Sequence, residues 1–289
     1  MTNNKILLQF FIFTKKIFGG KGLSKYSLIK RWKYYGLNNF RAEYANVQGS
    51  LMHLDKFDES DLSINGIYEP LETEIIKEKI QNGDIVIDIG ASIGYFTLLL
   101  AKLVGTTGKV FAFEPEPSNF SLLNENIKLN KYNNVITEQK GVADSNNVMK
   151  FFLANDRTMH SLHKSKYHNN EMMIDVVKLD DYFKDLDFIT KIKFMKIDVE
   201  GSEFNVLKGM KEILKRNNTV KLLIEFIPEH LIKAGIDPKE VIEFLRKRNF
   251  EIFFVNEKTK KMESISENFI FSNVQKDRFG KNIFCVPKK

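Results

Sequence analysis

The pattern of hydrophobic and polar positions predicts alternating strands and helices over most of the chain. Short apolar runs predict buried strands at residues 85–89, 110–113, 135–142, 194–197 and 220–226. Amphipathic stretches between and around them predict helices at residues 70–80, 95–103, 118–129, 203–216 and 238–248. Continuous apolar strands that alternate with helices are typical of a parallel sheet covered on both faces, so we expect an α/β fold.

The remaining segments are shorter or less regular. Residues 47–54 and 62–67 alternate apolar and polar positions, which predicts a hairpin or an ordered entry segment. Residues 148–180 predict further strands around an irregular stretch rich in His and Asn. Residues 250–255 and 282–286 are predicted to pair as closing strands. No internal repeat is visible, so we expect a single main domain.

An N-terminal arm, residues 1–44, differs in charge from the predicted main domain, residues 45–289. The first 50 residues hold nine basic residues and one acidic residue, whereas the rest holds 35 basic and 36 acidic residues. The net charge of +7 therefore belongs to the arm. A main domain without a basic excess argues against nucleic-acid binding.

The arm also contains an apolar stretch with lysines, residues 5–18. It is too short to cross a bilayer, which takes about 20 apolar residues. Two interpretations stay open: a helix on a membrane surface, or a helix packed on the main domain or a second subunit. The single cysteine, Cys285, excludes an intrachain disulfide and indicates a reducing compartment, so we expect a cytoplasmic protein. Under the first interpretation of residues 5–18, the arm of this protein would also contact a membrane. The oligomeric state is not predicted.

The strongest chemical signal is the turn that follows the strand at residues 85–89. Its spacing is Asp-x-Gly-x-x-x-Gly, with Asp88, Gly90 and Gly94. Such glycines permit a tight strand-to-helix turn and a close approach of ligand to backbone. The Asp88 carboxylate disfavours a pyrophosphate and suits a cationic ligand such as S-adenosylmethionine. A nicotinamide-dependent oxidoreductase is disfavoured, since its Gly-x-Gly-x-x-Gly turn is missing.

Acidic residues follow the other predicted parallel strands. Glu114 lies 24 residues after Gly90, where an acidic side chain accepts hydrogen bonds from ribose hydroxyls. Asp144 follows the third strand and is either an adenine contact or a solvated turn residue. Asp198 and Glu200 follow the fourth strand, on one side of a segment expected to be extended. Glu203, close by, is attributed to a helix N-terminus, and Glu225, at the end of the fifth strand, joins the acidic cluster.

Five segments resemble, in this order, the FkbM family of methyltransferases. They are Gly-Ile-Tyr-Glu-Pro-Leu-Glu-Thr at 66–73, the Asp88 loop, Phe-Glu-Pro at 113–115, Leu-Asp-Asp at 179–181 and Ile-Asp-Val-Glu-Gly at 197–201. The resemblance runs from about residue 45 to the closing strand. It implies a three-layer, Rossmann-like class I methyltransferase fold with a mostly parallel seven-stranded sheet. It also implies S-adenosylmethionine as methyl donor and O-methylation of a sugar, glycan or related small molecule.

The strand ends and the resemblance together define candidate cofactor contacts. These are Tyr68, Glu69, Thr73, Asp88, Gly90, Ala91, Ser92, Gly94, Tyr95, Phe96, Glu114, Pro115, Val142, Ala143, Asp144 and Asp198. The resemblance implies that the first three lie near the methionine end of the cofactor.

A sugar hydroxyl is a poor nucleophile, so a general base is expected within hydrogen-bond reach. The candidates are Asp198, Glu200 and Glu225, with His160 or His163 as second choice. Both histidines lie in a segment interpreted as a substrate loop, although surface histidines would look the same. Clustered carboxylates suit Mg²⁺, but they also suit cofactor and substrate, and no metal is expected. The alternative to an enzyme is a non-catalytic binding or scaffold protein on a degenerate methyltransferase fold.

Overall fold

The computed structural model describes residues 43–54, 62–155, 159–166, 168–184, 189–257, 259–264 and 282–288. The apolar stretch of the arm, residues 5–18, lies outside these ranges. The chain divides into two compact units, Met1–Tyr68 and Glu69–Lys289, and the boundary expected after residue 44 stays a prediction. No helix in the described ranges has the length and apolar character needed to cross a membrane.

The first unit contains a hairpin and one turn of helix. Strands β1 (Tyr44–Val47) and β2 (Ser50–His53) pair in antiparallel fashion. Helix α1 (Leu62–Asn65) follows, and the Gly66 N–H donates to the Leu62 carbonyl at 2.9 Å where the helix ends. The hairpin therefore overlaps the first predicted segment, residues 47–54, and begins just before it. The second segment is partly helical.

The second unit is built on one large sheet and one small sheet. Its strands, in chain order, are β3 (Ile85–Ile89), β4 (Lys109–Phe113), β5 (Val135–Glu138), β6 (Gly141–Val142), β7 (Asn147–Ala154), β8 (His168–Val177), β9 (Ile192–Ile197), β10 (Lys221–Glu225), β11 (Phe250–Asn256), β12 (Lys261–Ser264) and β13 (Asn282–Pro287). The large sheet has the order β12-β11-β13-β10-β9-β3-β4-β5. Neighbours from β10 to β5 are parallel, whereas β13, β11 and β12 pair in antiparallel fashion.

The mostly parallel sheet is confirmed, and within the described residues it has one strand more than the seven expected. The additional strand, β12, folds back on β11 as an antiparallel hairpin at the sheet edge. The pairing of β11 with β13 also confirms the predicted closing strands.

Helices cover the large sheet. They are α2 (Pro70–Lys79), α3 (Tyr95–Val104), α4 (Pro117–Leu129), α5 (Leu179–Tyr182), α6 (Glu203–Gly209), α7 (Lys211–Arg216), α8 (Pro228–Lys233) and α9 (Pro238–Arg246). Strands β3, β4 and β10 are buried from their second residue to their last. Because side chains alternate between the two faces of a strand, this burial means that both faces are covered. The fold is the three-layer, class I methyltransferase type of α/β fold.

Two predicted elements are interrupted. The predicted strand 135–142 breaks after Glu138, because β6 leaves the large sheet and pairs with β8 in the sheet β6-β8-β7. The predicted helix 203–216 breaks after Gly209, where a Cβ atom would lie 2.0 Å from the Ala143 carbonyl oxygen. This close approach packs the helix against the end of β6. Helix α8 was not predicted.

One predicted helix start also differs. Helix α4 begins at Pro117 rather than at residue 118, and Glu116 caps it: its side chain accepts the Asn119 N–H at 2.7 Å, and Ser118 Oγ donates to the same carboxylate. The capping oxygen therefore comes from the residue just before the helix, as N-capping geometry requires.

Candidate active site

The glycine turn after β3 is held against the ends of β4 and β9. The Gly90 and Ala91 N–H groups both donate to the Phe113 carbonyl at 3.0 Å. Gly90 has φ 83°, and a Cβ there would lie 1.8 Å from the Asp198 carbonyl oxygen. Only glycine fits this position, so the turn brings the ends of three neighbouring strands to one point.

Glu114, at the end of β4, is joined to that turn. Its Oε2 accepts the Ser92 N–H at 2.8 Å, and its Oε1 accepts the Glu116 N–H at 2.9 Å. Burial raises the pKa of this carboxyl to about 7, although both hydrogen bonds oppose the rise. A carboxylate oxygen has a second lone pair, so Glu114 can accept ligand hydroxyl groups as well. The carboxylate expected at the ribose is therefore held in place by backbone amides.

Asp88 lies beneath the turn as a buried carboxylate. Its Oδ2 accepts the Thr97 hydroxyl at 2.6 Å, while the buried Oδ1 has no hydrogen-bond partner in the described part of the chain. Burial raises the pKa of Asp88, and the charge of Lys196 opposes this. An unsatisfied buried carboxylate oxygen favours a cation or a donor nearby.

Lys196, in β9, was missed as a site residue by the sequence reasoning. It is buried, its Nζ donates to Asp198 Oδ2 at 2.7 Å, and it lies 4.5 Å from the centre of the Phe96 ring. Burial lowers the pKa of Lys196, but the Asp198 and Asp88 carboxylates outweigh burial and raise it above its usual range. The signal in the sequence was a lysine inside an apolar strand, two residues before the strand-end aspartate. Asp198 is thus held by an ion pair.

The residues before and within α2 contribute two further groups. Glu69 has φ 41° and precedes the helix, and its charge raises the pKa of both Lys196 and Glu225. The Thr73 hydroxyl lies 2.9 Å from the Tyr95 hydroxyl, in a buried pair. Glu69 therefore belongs to the same charged cluster as β9 and β10. Tyr68 falls in the first unit, and its cofactor contact stays a prediction.

A second group of side chains lies beyond Asp198. Glu225, the last residue of β10, is buried, and burial together with the Asp198 and Glu200 carboxylates raises its pKa well above the ordinary value. His230 Nδ1, in α8, lies 3.2 Å from Glu200 Oε2. The interaction with Glu200 raises the pKa of His230, although burial opposes the rise. Glu200, Glu225 and His230 therefore meet at one place.

Two details of this group differ from expectation. Strand β9 ends at Ile197, and Glu200 has φ 51°, so the extended segment assumed for Asp198 and Glu200 is wrong. A left-handed turn, rather than strand alternation, places Glu200 near Glu225. His230 was missed, although a proline and a histidine shortly after a strand-end glutamate were available as a signal.

The two histidines of the predicted substrate loop are used differently. His160 Nδ1 accepts the Ala154 N–H at 3.1 Å, which places the proton of the neutral ring on Nε2. His163 lines a small cavity together with Glu200 and His230, and burial lowers its pKa. The structure therefore brings His163, rather than His160, to the carboxylate group. Their catalytic roles stay predictions.

The third predicted strand end lies in the small sheet. Val142 and Ala143 are buried, whereas Asp144 is exposed and forms an ion pair with Lys208 at 3.3 Å. The contact of Asp144 with adenine stays a prediction, as do the other cofactor contacts.

The charge balance of the strand ends defines the class of ligand. Carboxylates crowd this edge of the sheet, and the buried cation among them is Lys196 within the described residues. The carboxylates are Glu69, Asp88, Glu114, Asp198, Glu200, Glu203 and Glu225. Such an excess fits S-adenosylmethionine, whose sulfonium and ammonium groups outnumber its single carboxylate, and disfavours a pyrophosphate. Fold and site together define a nucleoside-cofactor site of the class I methyltransferase type.

Comparison with known proteins gives the family. The Methyltransferase FkbM domain model matches residues 88–252, more than half of the chain. The chain therefore belongs to the FkbM family of S-adenosylmethionine-dependent methyltransferases, as the sequence motifs predicted.

Individual relatives are more distant. "Methyltransferase 1" of Beauveria bassiana is 27% identical over 146 residues, which is 44% of this chain and 58% of the relative. "Hexuronic acid methyltransferase AglP" of Haloferax volcanii is 31% identical over 171 residues, which is 59% of this chain and 65% of the relative. The chain thus spans less than two thirds of both relatives. A solved S-adenosylmethionine-dependent O-methyltransferase of Thermotoga maritima has a TM-score of 0.42 at 12% identity, covering 89% of this chain and 82% of that chain.

Proposed function

We propose that the protein transfers the methyl group of S-adenosylmethionine to a hydroxyl group of a sugar, glycan or related small molecule. The observation that carries this proposal is the hydrogen bond between Ser92 N–H and Glu114 Oε2. It joins the glycine turn to the carboxylate that we expect to bind the ribose. A ribose bound by Glu114 would direct the rest of the cofactor along the turn toward Asp88 and Asp198.

The bound cofactor supplies an electrophilic methyl group: a C–O bond forms as the C–S bond breaks, and its electron pair stays on sulfur. The protein orients the acceptor hydroxyl toward that methyl group and takes its proton. Asp198 is our first choice for the base, because its carboxylate lies at the end of β9 beside the turn. Lys196 orients it through the 2.7 Å contact. Glu200, Glu225, His160 and His163 are the other candidates.

The sugar class of the acceptor is supported by two observations. One relative is named as a hexuronic acid methyltransferase. The small cavity beside Glu200 is also lined by the cationic side chains of Lys164 and Lys233. Hydroxyl and carboxyl groups of a sugar are the partners that such donors prefer. We further propose that the protein acts in the cytoplasm, and contact of residues 5–18 with a membrane surface stays one of the two interpretations of that stretch.

Calorimetric titration with S-adenosylhomocysteine tests the cofactor site. We expect micromolar binding to the wild type and at least tenfold weaker binding to Glu114→Ala. The matched control is Glu116→Ala, which removes the helix cap at about 1 kcal/mol but leaves the ribose carboxylate. Transfer of labelled methyl groups to a panel of neutral sugars and hexuronic acids then tests the acceptor class. A folded wild type that does not bind S-adenosylhomocysteine would leave the binding or scaffold alternative in its place.

A further inference from the structure

Three side chains in the acceptor half of the site form a mixed oxygen and nitrogen cluster. Glu200 follows β9, Glu225 ends β10 and His230 lies in α8. One carboxylate oxygen of each glutamate and one ring nitrogen of the histidine all lie within 4.8 Å of one another. Of these atoms, His230 Nδ1 and Glu200 Oε2 are 3.2 Å apart.

The cluster contains an unsatisfied buried acceptor. Glu225 is only 8% exposed, and its Oε2 has no hydrogen-bond partner in the described ranges. The negative charges of Asp198, Glu200, Glu203 and Glu69 all act on it. A buried carboxylate oxygen without a donor, surrounded by other carboxylates, is costly unless the group takes up a proton or a cation binds there.

The cluster is also held rigidly. The Glu200 carbonyl accepts the Ser161 hydroxyl at 2.6 Å, which fixes the left-handed turn. Gly201 has φ 99°, and a Cβ there would lie 3.3 Å from the Cβ of His230. The turn and α8 are thus packed directly on each other, so Glu200 and His230 face each other without a rearrangement.

We propose that Glu200, Glu225 and His230 bind a divalent metal ion. Ligand atoms about 2.1 Å from one metal and cis to each other lie roughly 3 Å apart, close to the separation of His230 and Glu200. Two carboxylates and one imidazole suit Mn²⁺, with Mg²⁺ as a competitor. This proposal departs from the expectation that no metal binds.

The three ligands leave coordination positions open. Hydroxyl groups of the acceptor would fill them, and the metal would make a coordinated hydroxyl easier to deprotonate. This role rests on the proposed function, whereas metal binding itself does not. Asp198 lies outside the ligand set and stays available as the base.

Titration of the purified full chain with Mn²⁺, followed by electron paramagnetic resonance, tests the site. We expect one bound Mn²⁺ in the micromolar range. Glu225→Gln and His230→Ala should each weaken it at least tenfold, because each removes one ligand. The matched control is Glu229→Gln, which removes a neighbouring exposed carboxylate that pairs with Lys233 and should leave the affinity unchanged. Circular dichroism checks that the variants fold.

Two outcomes would overturn the proposal. The first is a wild type without a Mn²⁺ site, and the second is a folded Glu225→Gln that binds Mn²⁺ as tightly as the wild type. Methyl transfer that survives excess chelator would overturn the role in acceptor binding. Binding of S-adenosylhomocysteine is measured separately. A protein that binds S-adenosylhomocysteine but not Mn²⁺ would refute the metal site and leave the proposed methyl transfer standing.

Discussion

The proposed cofactor half of the site, around Asp88, Gly90 and Glu114, and the proposed acceptor half, around Glu200, Glu225 and His230, are built in different ways. In the cofactor half, Glu114 receives two backbone N–H groups, and the turn at Gly90 is bonded to the end of β4. In the acceptor half, Glu200, Glu225 and His230 come from three separate segments and meet through their side chains. Backbone hydrogen bonds fix one half, whereas the packing of separate segments assembles the other.

This difference teaches where sequence motifs are informative. A turn whose backbone must approach another strand restricts the residue types allowed, as at Gly90. A cluster assembled from three separate segments restricts them far less, since the fold rather than the local backbone brings the side chains together. If the two halves differ in this way, substitutions in each half should have different effects.

The largest effect is expected for Gly90→Ala. The added Cβ would lie 1.8 Å from the Asp198 carbonyl oxygen, so the turn or β9 must move. We expect a loss of unfolding free energy on the order of 4 kcal/mol or more, together with loss of S-adenosylhomocysteine binding. Chemical denaturation measures the stability and calorimetry the binding.

Gly235→Ala is the matched control for Gly90→Ala. Gly235 has φ 77° but no atom within 4 Å of an added Cβ, so only backbone strain of about 1 kcal/mol is expected. Equal stability losses in the two variants would mean that the turn is not locked to β9. The contrast between the two halves would then fail.

One residue near each half was missed by the sequence reasoning, for physical reasons. Periodicity predicted β3, β4, β9 and β10, and the acids at strand ends gave Glu114, Asp198, Glu200 and Glu225 as site candidates. Lys196 was not predicted as a site residue, because its role depends on the Phe96 ring and on carboxylates that include Asp88 on another strand. His230 was not predicted, because only the contact of α8 with the Gly201 turn brings it to Glu200.

The break between β5 and β6 was missed for a related reason. Residues 135–142 keep a strand-like pattern throughout, and the pattern is the same whether the chain stays in one sheet or crosses to another. Only the pairing of Gly141 with Val176 in β8 decides this. Sequence periodicity predicts strands, whereas strand partners depend on the whole fold.

Asp198→Asn is expected to have the next largest effect. It removes the proposed base and leaves the buried Lys196 without its carboxylate partner. We expect kcat to fall by about 10³-fold, in the range for loss of a general base. Initial rates of methyl transfer measure this, and S-adenosylhomocysteine titration shows whether the cofactor half is intact.

The control for Asp198→Asn is Asp175→Asn, the same change at an exposed position in β8. It should leave kcat unchanged. Full turnover in Asp198→Asn would exclude Asp198 as the base and move the proton acceptor to the group around Glu200.

Glu72 lies outside both halves of the site. A substitution there tests whether a buried carboxyl group elsewhere in this fold also has a raised pKa. Burial, followed by the neighbouring Glu257, raises the pKa of Glu72 to about 8. The folded protein therefore keeps a proton that the unfolded chain loses, and stability falls as pH rises from the unfolded value of 4.5 toward 8. Between pH 6 and pH 8 we expect a loss of about 2 kcal/mol.

Glu72→Gln should remove most of that pH dependence, because the amide does not titrate and keeps an oxygen for Asn282, which donates to Glu72 at 2.8 Å. Urea unfolding of both proteins at the two pH values measures the difference. Identical slopes with pH would show that Glu72 is ionised in the folded protein. Raised pKa values would then be confined to the carboxyl groups of the site, among them Glu114 and Glu225.

The smallest effect is expected for substitution of Asp144, which tests how far the proposed cofactor half extends. This exposed residue pairs with Lys208 at 3.3 Å, and such pairs contribute at most about 1 kcal/mol to stability. If Asp144 contacts adenine, Asp144→Ala weakens S-adenosylhomocysteine binding about fivefold, the effect of one hydrogen bond of about 1 kcal/mol. Lys208→Ala breaks the same ion pair without removing the carboxylate, so it leaves the affinity unchanged. Equal affinities in both variants would make Asp144 a solvated turn residue and end the cofactor half at Glu114.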